Sequence, residues 1–242
     1  MSEEITITVD GRTVAAQPGQ TILTACERAG IWIPRLCAHP ELTVWGGCRV
    51  CTCMVDGRAA AACVQPVRQG MVVESESDRV REIRRAIVEL LLVEGNHFCM
   101  VCEKSGECEL QALAYRLGIT HVRYPYLFPD RPLDAGHAEL LFDHDRCVLC
   151  GRCVRASAEL DGRHALGFTG RGIARRVDTG DPRGLAGSGV TGADRIADVC
   201  PTGALLRRGE AYRVPVGRRR FDRQPIGGDV ERSADGVTGR NR

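Results

Sequence analysis

Residues 147–153 read CVLCGRC, and Cys200-Pro201 follows far downstream. Three cysteines at C-x2-C-x2-C spacing can wrap one face of an iron–sulfur cubane, and a remote Cys-Pro can supply the fourth ligand. The run also opens a helix expected over 150–160. Cys147, Cys150, Cys153 and Cys200 therefore read as one set of cluster ligands.

This is the arrangement of bacterial ferredoxins, which normally build two clusters from two repeats of C-x2-C-x2-C-x3-C-P. Counting back from Cys200, the other ligand positions of a second repeat fall at Val190, Ala193 and Ile196. Counting on from Cys153, the fourth position of the first repeat is Ser157. None of these is a cysteine. The segment reads as a two-cluster ferredoxin unit that keeps one cluster.

Two further sets lie upstream. Cys37, Cys48, Cys51 and Cys63 follow C-x10-C-x2-C-x11-C. A close central pair, one earlier cysteine in a long loop and a distant fourth beyond a hairpin is the logic of plant-type [2Fe–2S] binding, here with a longer entry loop. Gly46 and Gly47 precede Cys48, where backbone must approach a cluster and donate N–H groups to sulfur. A zinc site is the alternative for these thiolates. Cys53 and Cys26 read as core packing rather than ligands. The next set is Cys99, Cys102 and Cys108, three thiolates one ligand short, with His97 beside them. An imidazole in place of a thiolate makes a cluster less negative and raises its potential.

The chain has 242 residues and thirteen cysteines. In a chain without a secretory leader, that density points to metal or redox chemistry rather than disulfides. The start, MSEEITITVDG, has neither a basic nor an apolar leader region. The apolar run Ala86–Val93 contains Glu89 and is too short to cross a membrane. The expectation is a soluble, cytoplasmic protein without direct membrane insertion. A net charge of +2 gives no drive toward nucleic acid. Aromatic residues are few, so the clusters are expected to staple the fold.

Alternation over residues 4–16 around Asp10-Gly11 predicts a β-hairpin. Thr21 caps a short helix that Gly30 stops. Further strands are expected at Met54-Val55 and Met71–Val73. Over 77–94, Val80, Ile83, Ile87, Leu90 and Leu91 recur at helical spacing, with Arg79, Arg81, Glu82 and Arg85 elsewhere on the wheel. Another short helix is expected over Leu110–Leu117, then a connector over 118–146 ending in a strand at Glu139–Phe142. Gly167–Gly172 reads as a loop. There is no G-x-G-x-x-G after a strand and no P-loop, so no nucleotide or substrate-converting site is expected on this chain.

The order of these motifs resembles the amino-terminal part of one family. It includes the large iron–sulfur subunit of complex I, the iron-only hydrogenases and the diaphorase iron–sulfur subunit of NAD-reducing nickel–iron hydrogenases. The resemblance covers roughly residues 1–210. It is carried by Gly47-Cys48-Arg49-Val50-Cys51, by CEKSGECELQ at 102–111, by RCVLCGRCVR at 146–155 and by Cys200-Pro201-Thr202-Gly203-Ala204. In complex I relatives three residues separate the histidine from its first cysteine. Here only Phe98 intervenes, a spacing typical of the hydrogenase branch. The chain stops soon after Cys200, and this compact form resembles the diaphorase subunit most.

The resemblance implies an α+β fold in three units. Residues 1–75 would form a β-grasp [2Fe–2S] ferredoxin-like domain, 76–118 a small helical domain and 119–214 a linker with a bacterial-ferredoxin-like domain. Residues 215–242, rich in Arg and Gly, are expected to be a mobile tail. The implied cofactors are one [2Fe–2S] cluster on Cys37, Cys48, Cys51 and Cys63, and two [4Fe–4S] clusters. One of these would sit on His97, Cys99, Cys102 and Cys108, and the other on Cys147, Cys150, Cys153 and Cys200. FMN and NAD would sit on a flavin/NAD-binding diaphorase partner, and hydrogen would be activated on the hydrogenase small and large subunits of a hetero-oligomer. This chain would relay electrons between them and have no catalytic residue of its own. The same subunit could serve an NAD-dependent formate dehydrogenase or an NADH:quinone oxidoreductase. A reading of another class is a zinc-stabilised interaction module, though zinc motifs pair two C-x2-C hooks and do not need a C-x2-C-x2-C run.

Overall fold

The computed structural model describes residues 4–232. Strands β1 (Ile5–Val9) and β2 (Arg12–Ala16) form the expected hairpin, with Asp10 and Gly11 at φ 47° and 79°. Two positive φ values in a two-residue loop match the twist of the paired strands. Ile7, Val9, Val14 and Ala16 alternate inward. Helix α1 (Ile22–Arg28) starts where the Thr21 hydroxyl accepts the Thr24 N–H at 3.2 Å. A long loop then leads to β3 (Thr52–Val55), β4 (Arg58–Ala61) and β5 (Val72–Glu74), giving one mixed sheet in the order β2-β1-β5-β3-β4. β5 runs parallel to β1 and antiparallel to β3. α1 packs on this sheet, and Cys26 and Cys53 are wholly buried in that core.

Helix α2 (Asp78–Val93) follows, but its buried stripe is not the apolar one. Val80, Arg84 and Val88 face inward with Glu89, while Leu90 is exposed and Ile83 and Ile87 are half-buried. The charged side chains go inside because partners wait there. Arg84 finds carbonyl oxygens, and Glu89 binds Arg85 and Arg123 at 2.9 and 2.8 Å. The Arg123 contact also pins the connector to the helix. Helix α3 (Glu109–Arg116) lies against α2.

The remainder of the chain builds β6 (Leu133–Asp134), β7 (Leu140–Asp143), α4 (Arg152–Glu159), β8 (Gly167–Thr169), β9 (Arg176–Asp178) and β10 (Leu205–Arg207). β7 is central in a sheet of order β10-β7-β6, and β8 pairs with β9. The glycine-rich stretch expected to be a loop is thus in part a strand. Its turn needs Gly170, at φ 69°, because a Cβ there would collide with the Ala174 carbonyl. The cysteine-free ligand positions are mostly packing positions. Val190 and Ile196 sit in one apolar cluster with Leu140, Leu166 and Leu185, and the buried Ser157 hydroxyl accepts the Ala165 N–H. Ala193 is exposed.

The expected mobile tail is a correction over 215–232. Helix α5 (Arg220–Arg223) is anchored by the Phe221 N–H to the Gly106 carbonyl and by Arg219 to the Ser105 carbonyl. Ile226 is buried, and Gly227 packs on Trp32 so closely that a Cβ would overlap the indole. Arginine-rich composition concealed one buried isoleucine and several backbone hydrogen bonds. Residues 233–242 of that expectation lie outside the described residues.

Candidate metal centres

The loop between α1 and β3 carries Cys37 and Cys48; Cys51 abuts β3, and Cys63 lies just past β4. Arg49 at φ 59° turns the chain between the central pair. The structure brings all four thiols into one hydrogen-bonded group. Cys37 lies within hydrogen-bonding reach of the Cys48 and Cys63 thiols, and Cys51 within reach of Cys63. These bonds pull the Cys37 and Cys51 thiols below the usual range and push Cys48 and Cys63 above it. Backbone N–H groups of Gly47, Val50 and Cys63 point at sulfur, and the Cys37 N–H reaches Cys48 Sγ at 3.4 Å. A nest of N–H donors around clustered thiols favours anionic sulfur.

His97, Cys99, Cys102 and Cys108 line one small cavity with Gln111 and Arg146. Burial lowers the His97 pKa to about 4, so the ring is neutral. It hydrogen-bonds the Leu91 backbone, while Nε2 is buried with no partner. A histidine oriented by one ring nitrogen and bare at the other is the usual form of a metal-ligating imidazole. The loop holding it is fixed by the Asn96 N–H to the Asp145 carbonyl at 3.0 Å and the Asn96 amide to the Pro129 carbonyl at 2.9 Å. Gly95 leaves room for the ring, since a Cβ would stand 2.7 Å from His97 Nε2. Cys108 is pushed up to about 12 by burial, against N–H donors from Gln111 and Leu110.

Cys147, Cys150, Cys153 and Cys200 line a third, mostly apolar cavity with Phe142 and Val177. Leu149 at φ 51° and Gly151 at φ 68° curl the run before α4 begins. Burial raises the Cys147 thiol to about 11 and Cys150 to about 12, and lifts Cys153 well above its ordinary value. Thiols that resist ionisation, as Cys147, Cys150 and Cys153 do, become thiolates only when a metal charge replaces the lost water. Among the described residues, no three His, Cys, Asp or Glu side chains close around one metal ion. The donor chemistry of all three sets, and the orphaned imidazole of the second, fit iron–sulfur clusters.

The sets adjoin one another. Cys48 and Cys147 line a common groove beneath Trp45. Arg146, which precedes Cys147, points Nη1 at Cys102 Sγ over 3.6 Å and binds Glu103 and Asp143. Gly203 lets the Cys200 loop pass Cys102, whose Sγ would lie 3.1 Å from an added Cβ. From α4, Arg152 donates to the Ala38 carbonyl and binds Glu109, while Arg155 donates to the Cys37 carbonyl at 2.6 Å. The cysteine arithmetic did not flag these arginines as functional. Arg146, Arg152 and Arg155 were nonetheless visible, interleaved with the cysteines they serve.

Three family models match in chain order. A "2Fe-2S iron-sulfur cluster binding domain" covers residues 2–78. An "NADH-ubiquinone oxidoreductase-G iron-sulfur binding region" covers 84–123, and the ferredoxin-like domain of NADH-quinone oxidoreductase subunit 3 covers 139–206. The chain is 35% identical over 223 residues to the NAD-reducing hydrogenase HoxS subunit gamma of Cupriavidus necator, covering 92% of this chain and 95% of that one. It is 36% identical to the mitochondrial NADH-ubiquinone oxidoreductase 78 kDa subunit of Candida albicans, of whose length it spans 29%. A crystal structure of an NAD+-reducing [NiFe]-hydrogenase in the H2-reduced state contains a chain that superimposes with a TM-score of 0.89 at 44% identity, over 92% of this chain and 95% of that one. With its three iron–sulfur regions in the same order, the chain belongs to the family of the NAD-reducing hydrogenase gamma subunit and is related to the complex I 78 kDa subunit.

Proposed function

We propose that this chain is the electron-relay subunit of a soluble, cytoplasmic NAD-reducing nickel–iron hydrogenase. It would pass single electrons between an FMN- and NAD-binding diaphorase subunit and the hydrogenase small and large subunits. In this reading Cys37, Cys48, Cys51 and Cys63 hold one [2Fe–2S] cluster within a β-grasp unit over 1–75. His97, Cys99, Cys102 and Cys108 hold a [4Fe–4S] cluster in the helical unit over 76–118. Cys147, Cys150, Cys153 and Cys200 hold a second in the ferredoxin-like unit over 119–214. When bound, the clusters supply the one-electron carriers, and the protein sets their potentials through ligand type, hydrogen bonds and burial.

The carrying observation is that the third set adjoins both of the others. It shares a groove with Cys48 on one side, and Arg146 spans from Cys147 to Cys102 on the other. That contiguity supports a relay that runs from the first set through the third to the second. Related subunits of formate dehydrogenases or quinone reductases would use the same order, and genes adjoining this one distinguish those systems.

The test is electron paramagnetic resonance on the anaerobically purified chain with its diaphorase partner, reduced by NADH. One [2Fe–2S] and two [4Fe–4S] signals are expected. Cys150→Ser should remove one [4Fe–4S] signal and leave the [2Fe–2S] signal intact. A colourless, zinc-containing protein, or loss of neither signal, would overturn the reading.

A further inference from the structure

Most buried charge in this chain is matched. Glu89 has Arg85 and Arg123, and Arg152 has Glu109. Two buried arginines differ: Arg155 on α4, which donates to the Gly151, Thr43 and Cys37 carbonyls, and, more deeply buried, Arg84 on α2. The Arg84 side chain is 1% exposed, yet its donors go to neutral acceptors: the Thr52 carbonyl at 3.0 Å, the Ser75 carbonyl at 2.7 Å and Cys53 Sγ at 3.3 Å. The carboxylate in reach, Glu76, lies at 3.5 Å with its side chain 48% exposed, so water screens much of its charge. The nearby Asp10 carboxylate is occupied by the Ser75 N–H and hydroxyl. A guanidinium taken out of water without a buried anion is costly.

The acceptors of Arg84 show where an anion would stand. Thr52 lies between Cys51 and Cys53 at the start of β3, and Cys51 belongs to the first set. Four thiolates, two sulfides and two ferric ions make a [2Fe–2S] centre dianionic, and one further electron makes it trianionic. Cluster potential follows net charge and the surrounding field.

Resting on the reading of Cys37, Cys48, Cys51 and Cys63 as [2Fe–2S] ligands, we propose that Arg84 is the buried counter-charge of that centre. It is a positioning residue that favours the reduced cluster, and it arrives from outside the unit that holds the ligands. Arg84 lies beyond the 2–78 match to the [2Fe–2S] domain, on the helix that leads into the second set. The neighbouring unit thus sets how readily the first cluster accepts its electron.

The test is a redox titration of the [2Fe–2S] signal by electron paramagnetic resonance, on the full-length chain loaded anaerobically. Arg84→Gln keeps a polar side chain but removes the charge. At a fixed poise its ratio of reduced to oxidised cluster should fall about tenfold. Arg84→Lys keeps the charge and gives up the fork of hydrogen bonds, so its ratio should stay near that of the unaltered chain. An unmoved titration in Arg84→Gln with full iron content overturns the proposal, as does Arg84→Lys shifting equally far. If Arg84→Gln does not retain the cluster, Arg84→Lys decides. A lysine variant that retains the cluster at the unaltered potential supports the proposal, and one that loses or displaces it overturns it. Absence of any [2Fe–2S] signal in the unaltered chain would instead remove the ligand reading itself.

Discussion

His97 shows what one residue's surroundings can decide. Its imidazole is neutral, its other nitrogen is engaged with the Leu91 backbone, and Nε2 faces a cavity shared with three thiols. Gly95 makes the pose possible. An alanine there would push into the Asp145 carbonyl and the ring, displacing the imidazole while leaving its chemistry intact. Gly95→Ala should therefore reproduce the effect of His97→Ala on the second set. Both should weaken or alter one [4Fe–4S] signal in reduced, anaerobic samples and leave the [2Fe–2S] signal unchanged. A Gly95→Ala spectrum identical to that of the unaltered chain would mean that the backbone, and not the ring, fills that space. Cysteine spacing marked His97 as the candidate fourth donor. The glycine was not legible, because its role depends on Asp145, which is distant in sequence.

At the scale of elements, α2 teaches the clearest lesson. Its 3.6-residue period was readable, yet the apolar stripe did not predict the buried face. Arg84 and Glu89 went inside because carbonyl acceptors from β3 and from the segment after β5 reach the first, and the Arg123 guanidinium of the connector donates to the second. Such partners are invisible to a periodicity count, which scores charge as solvent-facing. Glu89 gives a test. Burial opposes its ionisation, but the Arg123 and Arg85 guanidinium groups outweigh it and hold the carboxyl below its ordinary range. A carboxyl with a lowered folded pKa contributes stability above its unfolded value, near 4.5, and loses that contribution as pH falls through the folded value. Glu89→Gln should thus cost about 3 kcal/mol at pH 7, since it leaves two arginines without their buried partner. The gap between variant and unaltered chain should hold to about pH 5 and narrow at more acid pH. Denaturant unfolding followed by circular dichroism checks both parts; a gap independent of pH would assign the loss to packing.

For the whole molecule, the cysteines point to three proposed centres, but not to what keeps them together. Much of that work falls to arginines whose partners are remote in sequence, such as Arg155 on the Cys37 carbonyl, and to one apolar cluster. That cluster joins Leu36 and Val50, each beside a first-set cysteine, to Cys108 and Leu110 of the second set. Ile226 closes it from the C-terminal segment, where composition alone had suggested a mobile tail. The ferredoxin-like part around Leu140, Leu166 and Ile196 has a core of its own, which the segment does not enter. A chain ended after Val214 should therefore lose its centres unevenly. Chelator-driven bleaching should accelerate for the [2Fe–2S] centre and the histidine-bearing [4Fe–4S] centre, while the centre on Cys147, Cys150, Cys153 and Cys200 keeps its rate. Ile226→Ala should show the same pattern more weakly, with a stability loss of about 2 kcal/mol. In a Trp45→Phe background, the remaining Trp32 should shift its emission to the red in the shortened chain, because Gly227 and the Arg116 guanidinium now cover it. Equal acceleration at all three centres would show that the segment stabilises the chain as one cooperative body rather than bracing two of its units.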